Sequence, residues 1–559
     1  MGPIGPRAAT AVVSNRAAGR ARELRGPARR LAGLAATVLA AIGVCCAATA
    51  PGMASAAQPT SSAASAAGKD LLPVGPLRAD GRFFRDRLGR VVILHGLFGV
   101  WKIPGVWEPP NSESEADGFT AADAGRVAAL GLDAFRLAYF WEGLQPTEGA
   151  YDEAYVADIR RVESLLAEHG VFSLIDSRQD MYSDAFDGDG FPTWSIHNDG
   201  VPLGADLGFP ANYFTPAVSL AFDNFWLDSD EVQSAYARQL AYMARVFAKE
   251  PMVLGYDLFN EPWPGSQYAS CAQPGGCPAF DTQLLQPAEN RFAEAVRAAD
   301  RKHIIFYEPN FFFDAGVASW LSAPPASVGE TGFSFHDECA TRALEQGGSD
   351  VGEAGNGAAE LVAAEANAVC PTTNDQVVAN ALASASAMNA TPLETEVAPA
   401  SDSDYGGLEC LLELDDQNMV GWTYGLSWRG GELRALAPEK RAVLERAYPR
   451  AIAGTPTSYG YDPRSGRFSL AYTTLASAHG PTVIELPAGV YPYGYTVTVS
   501  GARVTSAPGS TSLILRNRRG TASVSVTVAP TPGEHELPRP QFPACSEGVQ
   551  QGLPVTTTP

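Results

Sequence analysis

Glu261 and Glu396 stand 135 positions apart, the first in Asn260-Glu261-Pro262 and the second in Thr395-Glu396. Each closes a short apolar run of strand length, 253–259 for the first and 391–396 for the second. A glutamate at the mouth of a buried strand is partly desolvated, which raises its pKa and lets it stay protonated as a general acid. A second carboxylate facing it supplies a nucleophile or a base. Such a pair breaks acetal bonds, and hydrolysis of a glycosidic bond with retention needs the two carboxyls roughly 5 to 5.5 Å apart. Taken alone, Asn-Glu-Pro reads equally well as a loop cap or a surface ion pair, and Glu394 is the alternative to Glu396.

The elements that must position this pair alternate along the chain. Residues 90–96 form an apolar strand pattern closed by Gly96, followed by a loop to 110 that carries Phe98, Trp101, Lys102 and Trp107. Thr120 and Asp123 form a capping box at the start of an amphipathic helix that runs to Leu130, with Gly131 as its stop. A strand over 134–139 follows, then a helix over 152–169 with Val156, Ile159, Val162, Leu165 and Leu166 on one face, then a strand over 171–176. Val232, Tyr236, Leu240, Met243 and Phe247 mark another helical face, leading into the strand that delivers Glu261. Further strands are expected at 304–308, 332–336, 391–396 and 419–424, with helical stretches between them. Eight strands separated by helical crossovers predict an α/β fold, a (β/α)₈ (TIM) barrel, with its site at the C-terminal ends of the strands. After a helical stretch over 438–447 the texture changes to short alternating strands between Gly, Pro and Ser turns, the pattern of an all-β sandwich. The expected organisation is an export signal at 1–56, a leader at 57–70, a catalytic barrel at 71–447, a β-sandwich at 448–530 and a Pro/Thr-rich tail at 531–559.

Residues 1–56 carry seven arginines against one acid, then an uncharged apolar stretch ending near Ala54-Ser55-Ala56, the order an export signal requires. An uncleaved anchor is the alternative. Loss of this segment takes the net charge from −22 to −28. So acidic a surface repels phosphate backbones and anionic headgroups, which argues against nucleic acid and against electrostatic membrane adhesion. A secreted monomer without stable membrane insertion is expected. Six cysteines remain after residue 56, and the Cys271…Cys277 loop is the simplest disulfide. With no zinc spacing and no phosphate loop, neither a metal nor a nucleotide nor another cofactor is expected.

Polar residues at the expected strand ends are Arg136, Asp180, Asn260 with Glu261, His336, Glu396 and Trp422. Together with Thr395 and Pro262 this pattern resembles glycoside hydrolase family 5, whose members are retaining (β/α)₈ enzymes. Within it, 177–183 (Ser-Arg-Gln-Asp-Met-Tyr-Ser), 188–194 (Gly-Asp-Gly-Phe-Pro-Thr-Trp), 215–218 with 222–226, and 254–262 are similar to the endoglycoceramidases, which cut between glycan and ceramide in glycosphingolipids. The resemblance implies that Glu261 is the acid/base and Glu396 the nucleophile. It implies that Asn260 holds the sugar 2-hydroxyl, that Asp180 and Lys102 hold other hydroxyls, that His336 lines the sugar site and that Trp422 forms its floor. Trp194 reads as a further sugar platform, and Arg136 as the cation that keeps the nucleophile ionised. The competing readings are an Arg136–Asp180 ion pair and core positions for Trp194 and Trp422.

Two positions depart from the family pattern. Arg178 stands where a histidine is usual, and His336-Asp337-Glu338 stands where His-x-Tyr is usual. Arg178 and Glu338 are read as a compensating pair that reshapes the first sugar subsite towards another headgroup, of the galactosylceramide type. An apolar strip for a lipid is expected among Tyr213, Phe214, Trp226 and Phe311-Phe312-Phe313. The alternatives are a family 5 glucanase or mannanase with an open groove, and a glycan- or glycolipid-binding protein that has lost activity.

Overall fold

The computed structural model describes residues 72–338 apart from 104, 106, 113, 115, 116 and 274, and then 358–399, 403–425 and 431–532. The expected export signal, leader and nearly all of the tail, with Cys339, Cys545 and the side chains of Glu338 and Cys370, lie outside the described residues.

Three short strands, β1 (Arg78–Asp80), β2 (Phe83–Arg85) and β3 (Val91–Val92), form an antiparallel sheet. Eight strands then close a barrel in which every neighbouring pair is parallel. They are β4 (His95–Gly99), β5 (Ala134–Phe140), β6 (Phe172–Arg178), β7 (Val253–Asp257), β8 (Ile304–Tyr307), β9 (Thr331–Glu338), β10 (Thr391–Ala398) and β11 (Gly421–Gly425). The run at 90–96 thus splits: Val91 and Val92 pair back onto β2, and the barrel strand begins only at His95. Val91 is also drawn down by a bridge to Ile452 in the C-terminal part of the chain.

The helices form where the apolar periodicity places them. Ala121–Ala129 carries the Thr120/Asp123 capping box, and Gly131 follows its C-cap at φ +86°. Asp152 caps Glu153–Glu168 by accepting from the Ala154 and Tyr155 N–H groups. Val232–Phe247 buries all five of its expected apolar positions. The crossover from β8 to β9 differs, with only a 3₁₀ turn at Phe311–Ala315. Pro324-Pro325 in this segment removes backbone donors and disfavours helix.

Beyond the helix Pro438–Leu444 come β12 (Tyr448–Ala451), β13 (Gly454–Asp462), β14 (Arg467–Thr474), β15 (Thr482–Glu485), β16 (Tyr495–Ser500), β17 (Ala502–Val504), β18 (Ser512–Asn517) and β19 (Ser523–Pro530). They form two four-stranded antiparallel sheets, ordered β12-β15-β18-β17 and β13-β14-β19-β16, around one core. Val91, Ile93 and Met419 enter that core, so the sandwich packs on the N-terminal end of the barrel, away from the rim. Cys271 and Cys277 form a disulfide. Among the described residues no helix is long and apolar enough to cross a membrane.

Candidate active site

Glu261 lies just past β7 and is 4 % exposed; Glu396 lies near the end of β10 and is 9 % exposed. One carboxylate oxygen from each, together with a ring nitrogen of His336, falls within a mutual distance of 4.8 Å. The two glutamates therefore face one another across one pocket at the barrel mouth.

What turns Glu396 inward is a bulge. Glu394 pairs with Phe335 and Glu396 with His336, so two steps of β10 meet one step of β9. In a regular strand Glu394 and Glu396 would share a face, and the inserted residue breaks that parity. Thr395 lies within 2.5 Å of Ser334, Oγ1 to Oγ, while Glu396 reaches the guanidinium groups inside the barrel. Glu394 points the other way, towards Asp415 of the helix Tyr405–Asn418, where burial and that neighbour push its carboxyl well above the usual range. This excludes Glu394 as the partner of Glu261.

Arg136, on β5, sits at the centre of the pocket floor, fully buried. It does not pair with Asp180; its guanidinium meets Asp176 at 3.2 Å, Asp257 at 3.2 Å, Glu308 at 3.3 Å and Glu396 at 3.2 Å. Arg178 adds a second guanidinium on the same Glu396 oxygen, at 2.6 Å from Nη1. Burial alone would raise the Glu396 carboxyl, but Arg178, then His336 and Arg136, outweigh it and bring it down to about 2. Glu261 lacks such a partner, and burial pushes it up to about 8 against the opposing pull of Arg178. The two carboxyls are thus driven apart in acidity, as an acid and a nucleophile must be.

His336 is buried, and burial followed by Arg136 lowers its pKa to about 3, so the ring is neutral. Arg136 Nη1 can only donate, at 3.0 Å, so His336 Nε2 accepts and the ring proton sits on Nδ1. That N–H donates to Glu261 Oε1 at 3.0 Å, leaving Oε2 as the oxygen that carries the carboxyl's own proton. Asn260 Oδ1 accepts from Arg136 at 2.9 Å and from Arg178 at 2.8 Å. Its Nδ2 gives one hydrogen to the Gln179 carbonyl at 3.0 Å, and among the described residues the other has no hydrogen-bond acceptor.

On the flank, Lys102 bonds Asp180 and also approaches Asp189 at 3.1 Å. Asp180 and Asp189 are joined by two backbone hydrogen bonds of 3.0 and 2.8 Å, and Oδ1 of each is buried without a protein partner. Glu142 clamps this loop: its N–H donates to the Gly190 carbonyl at 2.9 Å, and its Oε1 accepts the Gly190 N–H at 2.6 Å. Burial raises Glu142 to about 9. A raised folded-state carboxyl contributes stability in full below about pH 4.5 and loses it as the pH rises through about 9. Glu142→Gln, which keeps the acceptor, is expected to lose less thermal stability than the native chain between pH 5 and pH 9; equal losses would contradict this.

The expected platform Trp422 is displaced. Trp422 is the second residue of β11, in register with Glu394 and His95, and it is fully buried. Its indole stacks on His95 at 4.4 Å, and the other face of His95 meets Tyr448 at 3.8 Å. It reaches the sandwich through His95 and is not the sugar floor, because the rim end of β11 is Gly425, where an added Cβ would come 3.8 Å from Glu396 Oε1. The next tryptophan, Trp428, lies outside the described residues. Trp194 is half-buried, edge-on to Trp141, and donates its indole N–H to the Gln145 carbonyl at 2.9 Å, so its contacts are those of the core margin.

Of the apolar strip, Tyr213, Trp226 and Phe313 are core residues. Phe214 is 37 % exposed, and Phe311 and Phe312 are partly buried. All three pack on Trp263, two residues after Glu261, with ring centres 5.1, 5.3 and 5.3 Å away. The residues missed in the sequence are Asp176, Asp257 and Glu308 around Arg136, and Asp189. The signal for the first three was an acid close to the C-terminal end of each of β6, β7 and β8; Asp189, in a loop, carried none.

Residues 104–428 match the cellulase (glycosyl hydrolase family 5) model, and residues 446–528 match the glycoside hydrolase family 5 C-terminal domain. Endoglycoceramidase I of Rhodococcus hoagii is 32 % identical over 78 % of this chain and 85 % of its own length. Two structures of endo-glycoceramidase II from Rhodococcus sp., each 25 % identical with a TM-score of 0.65, are similar throughout. One is a lactosyl-enzyme intermediate, covering 81 % of this chain and 100 % of that one, and the other a ganglioside GM3 complex, covering 80 % and 99 %. The chain belongs to glycoside hydrolase family 5.

Proposed function

We propose that this family 5 chain hydrolyses, with retention, the β-glycosidic bond between glycan and ceramide in glycosphingolipids. The observation that carries the reading is the facing pair Glu261 and Glu396 with opposite acidities, set beside an aromatic strip that begins two residues from the acid. Glu396 attacks the anomeric carbon while Glu261 gives its Oε2 proton to the departing ceramide oxygen. Water then attacks the glycosyl-enzyme, with Glu261 as base, and Glu396 leaves. The spare N–H of Asn260 is suited to the 2-hydroxyl, and Lys102, Asp180 and Asp189 to hydroxyls further round the ring. Phe214, Phe311 and Phe312 over Trp263 suit an alkyl chain, whose burial gains about 0.8 kcal/mol per methylene. The endoglycoceramidases similar to this chain, and the lactosyl-enzyme intermediate of one of them, support the same substrate class and mechanism.

The acid must be protonated for bond cleavage, so kcat/KM on the natural bond should fall through an alkaline limb near pH 8. A limb near pH 5 would contradict this. The test of class is incubation of the protein and its Glu396→Gln variant with glucosyl-, lactosyl- and galactosylceramides and with cellohexaose. Intact glycan released from lipid alone, and lost in the variant, supports the reading; release from cellohexaose alone points to a glucanase.

The headgroup reading is finer. Arg178 touches Asn260, Asp180 and Glu396, so it borders the first sugar subsite, and we propose that with Glu338 it biases the site towards galactosylceramide-type headgroups. Arg178→His combined with Glu338→Tyr should shift headgroup preference without abolishing turnover; unchanged preference would end the idea. We also read residues 1–56 as an export signal, and the N-terminal sequence of the secreted protein tests this.

A further inference from the structure

We propose that Glu308 is a positioning residue, which holds the general acid Glu261 in its working orientation by gripping its backbone; this rests on the acid/base assignment made above.

Glu261 adopts φ +47°, the left-handed region that residues other than glycine seldom occupy. It also precedes Pro262, and a residue before proline is pushed towards extended backbone. Two local preferences therefore oppose the conformation, and contacts from outside the turn must hold it.

Glu308, immediately after β8, meets the need. Its Oε1 accepts the Glu261 N–H at 2.6 Å. Its other oxygen is 3.3 Å from Arg136 Nη2, and Ser334 Oγ, which donates to Asp257 at 2.7 Å, lies 3.4 Å from it. Its own N–H donates to Glu289 Oε1 at 3.0 Å, from the helix Gln286–Ala299, which fixes the strand end from outside the barrel. Three residues on, the Phe311 N–H donates to the Pro262 carbonyl at 3.1 Å, so one segment grips the Glu261-Pro262 pair on both sides. Gln179 Nε2 completes the hold by donating to the carbonyls of Asn260 at 3.0 Å and Glu261 at 3.1 Å. With its backbone set, Glu261 needs only the His336 contact to aim its carboxyl. Without the Glu308 acceptor, the turn relaxes towards extended backbone and the carboxyl swings away from the departing oxygen.

Proton donation matters in proportion to the basicity of the leaving group: a ceramide alkoxide requires it, and dinitrophenolate does not. The experiment compares kcat/KM on a lactosylceramide and on dinitrophenyl lactoside for Glu308→Ala, Glu308→Asp and Glu308→Gln in the full chain. Alanine removes the acceptor and aspartate withdraws it by one methylene, so both should lose about a hundredfold on the lipid and only a few-fold on the aryl glycoside. Glutamine keeps an oxygen at the same reach and should stay near native on both. If the alanine variant does not fold, the aspartate variant decides. Equal losses on both substrates, or none on either, would overturn the proposal. Glu261→Ala run in parallel separates the two assignments. If it shows no dependence on leaving group, the acid/base reading fails; if it does and Glu308→Asp does not, only the role of Glu308 fails.

Discussion

Glu396→Gln is expected to lower glycan release on the order of 10⁴-fold or more while leaving the fold intact. Glutamine is nearly isosteric and can still accept from Arg136 and Arg178, which lie 3.2 and 2.6 Å from Oε2. What it lacks is a charge that can form the bond to the anomeric carbon. The matching prediction for Glu394→Gln is a small effect on rate, because the bulge in β10 turns that side chain towards Asp415. A loss at Glu394 as large as that at Glu396 would mean that the inward residue has been misassigned.

The second large effect is expected at Arg178. Arg178→Gln removes the shorter of the two guanidinium contacts on the Glu396 oxygen and leaves Arg136 at 3.2 Å. The Glu396 carboxyl must then rise from about 2 towards the ordinary range near 4.5. Because the nucleophile acts only when ionised, the acid limb of kcat/KM moves to higher pH in the variant, while the alkaline limb, set by Glu261, should not fall. Stability follows with the same sign. A carboxyl depressed in the folded state contributes stability above its unfolded value near 4.5, and that contribution is lost as the pH falls through about 2. The variant should therefore unfold at a higher pH on acidification. An acid limb unchanged from the native protein would show that Arg178 does not govern the nucleophile.

The parts legible in the sequence are those set by periodicity and local chemistry. The helical faces at Val156–Leu166 and Val232–Phe247 and the capping box at Thr120 follow from spacing alone, and so does the alternation of strand and crossover that makes a barrel. Glu261 and Glu396 were legible because each ends an apolar run in a recognisable setting. What was not legible depends on register and on partners distant in the chain. No residue pattern announces the extra residue between Glu394 and Glu396, yet it decides which glutamate enters the pocket. Trp422 had the right type for a sugar platform, but its height on β11 set it against His95, which stacks in turn on Tyr448. The acids around Arg136 come from three successive strands, and only barrel closure brings them to one guanidinium. The β8–β9 crossover without an α-helix was hidden by the general alternation, although Pro324-Pro325 was there to be read.

The facing pair with divided roles is tested most directly by azide rescue on an activated aryl glycoside. Azide added to Glu261→Ala should restore turnover and give the β-glycosyl azide, because it attacks a glycosyl-Glu396 intermediate from the face the departed group had held. Azide added to Glu396→Ala should give the α-glycosyl azide, by a single displacement from the cavity where the carboxylate had been. Opposite anomers are expected from the two variants; the same anomer from both, or azide products from neither, would rule out the paired roles of Glu261 and Glu396.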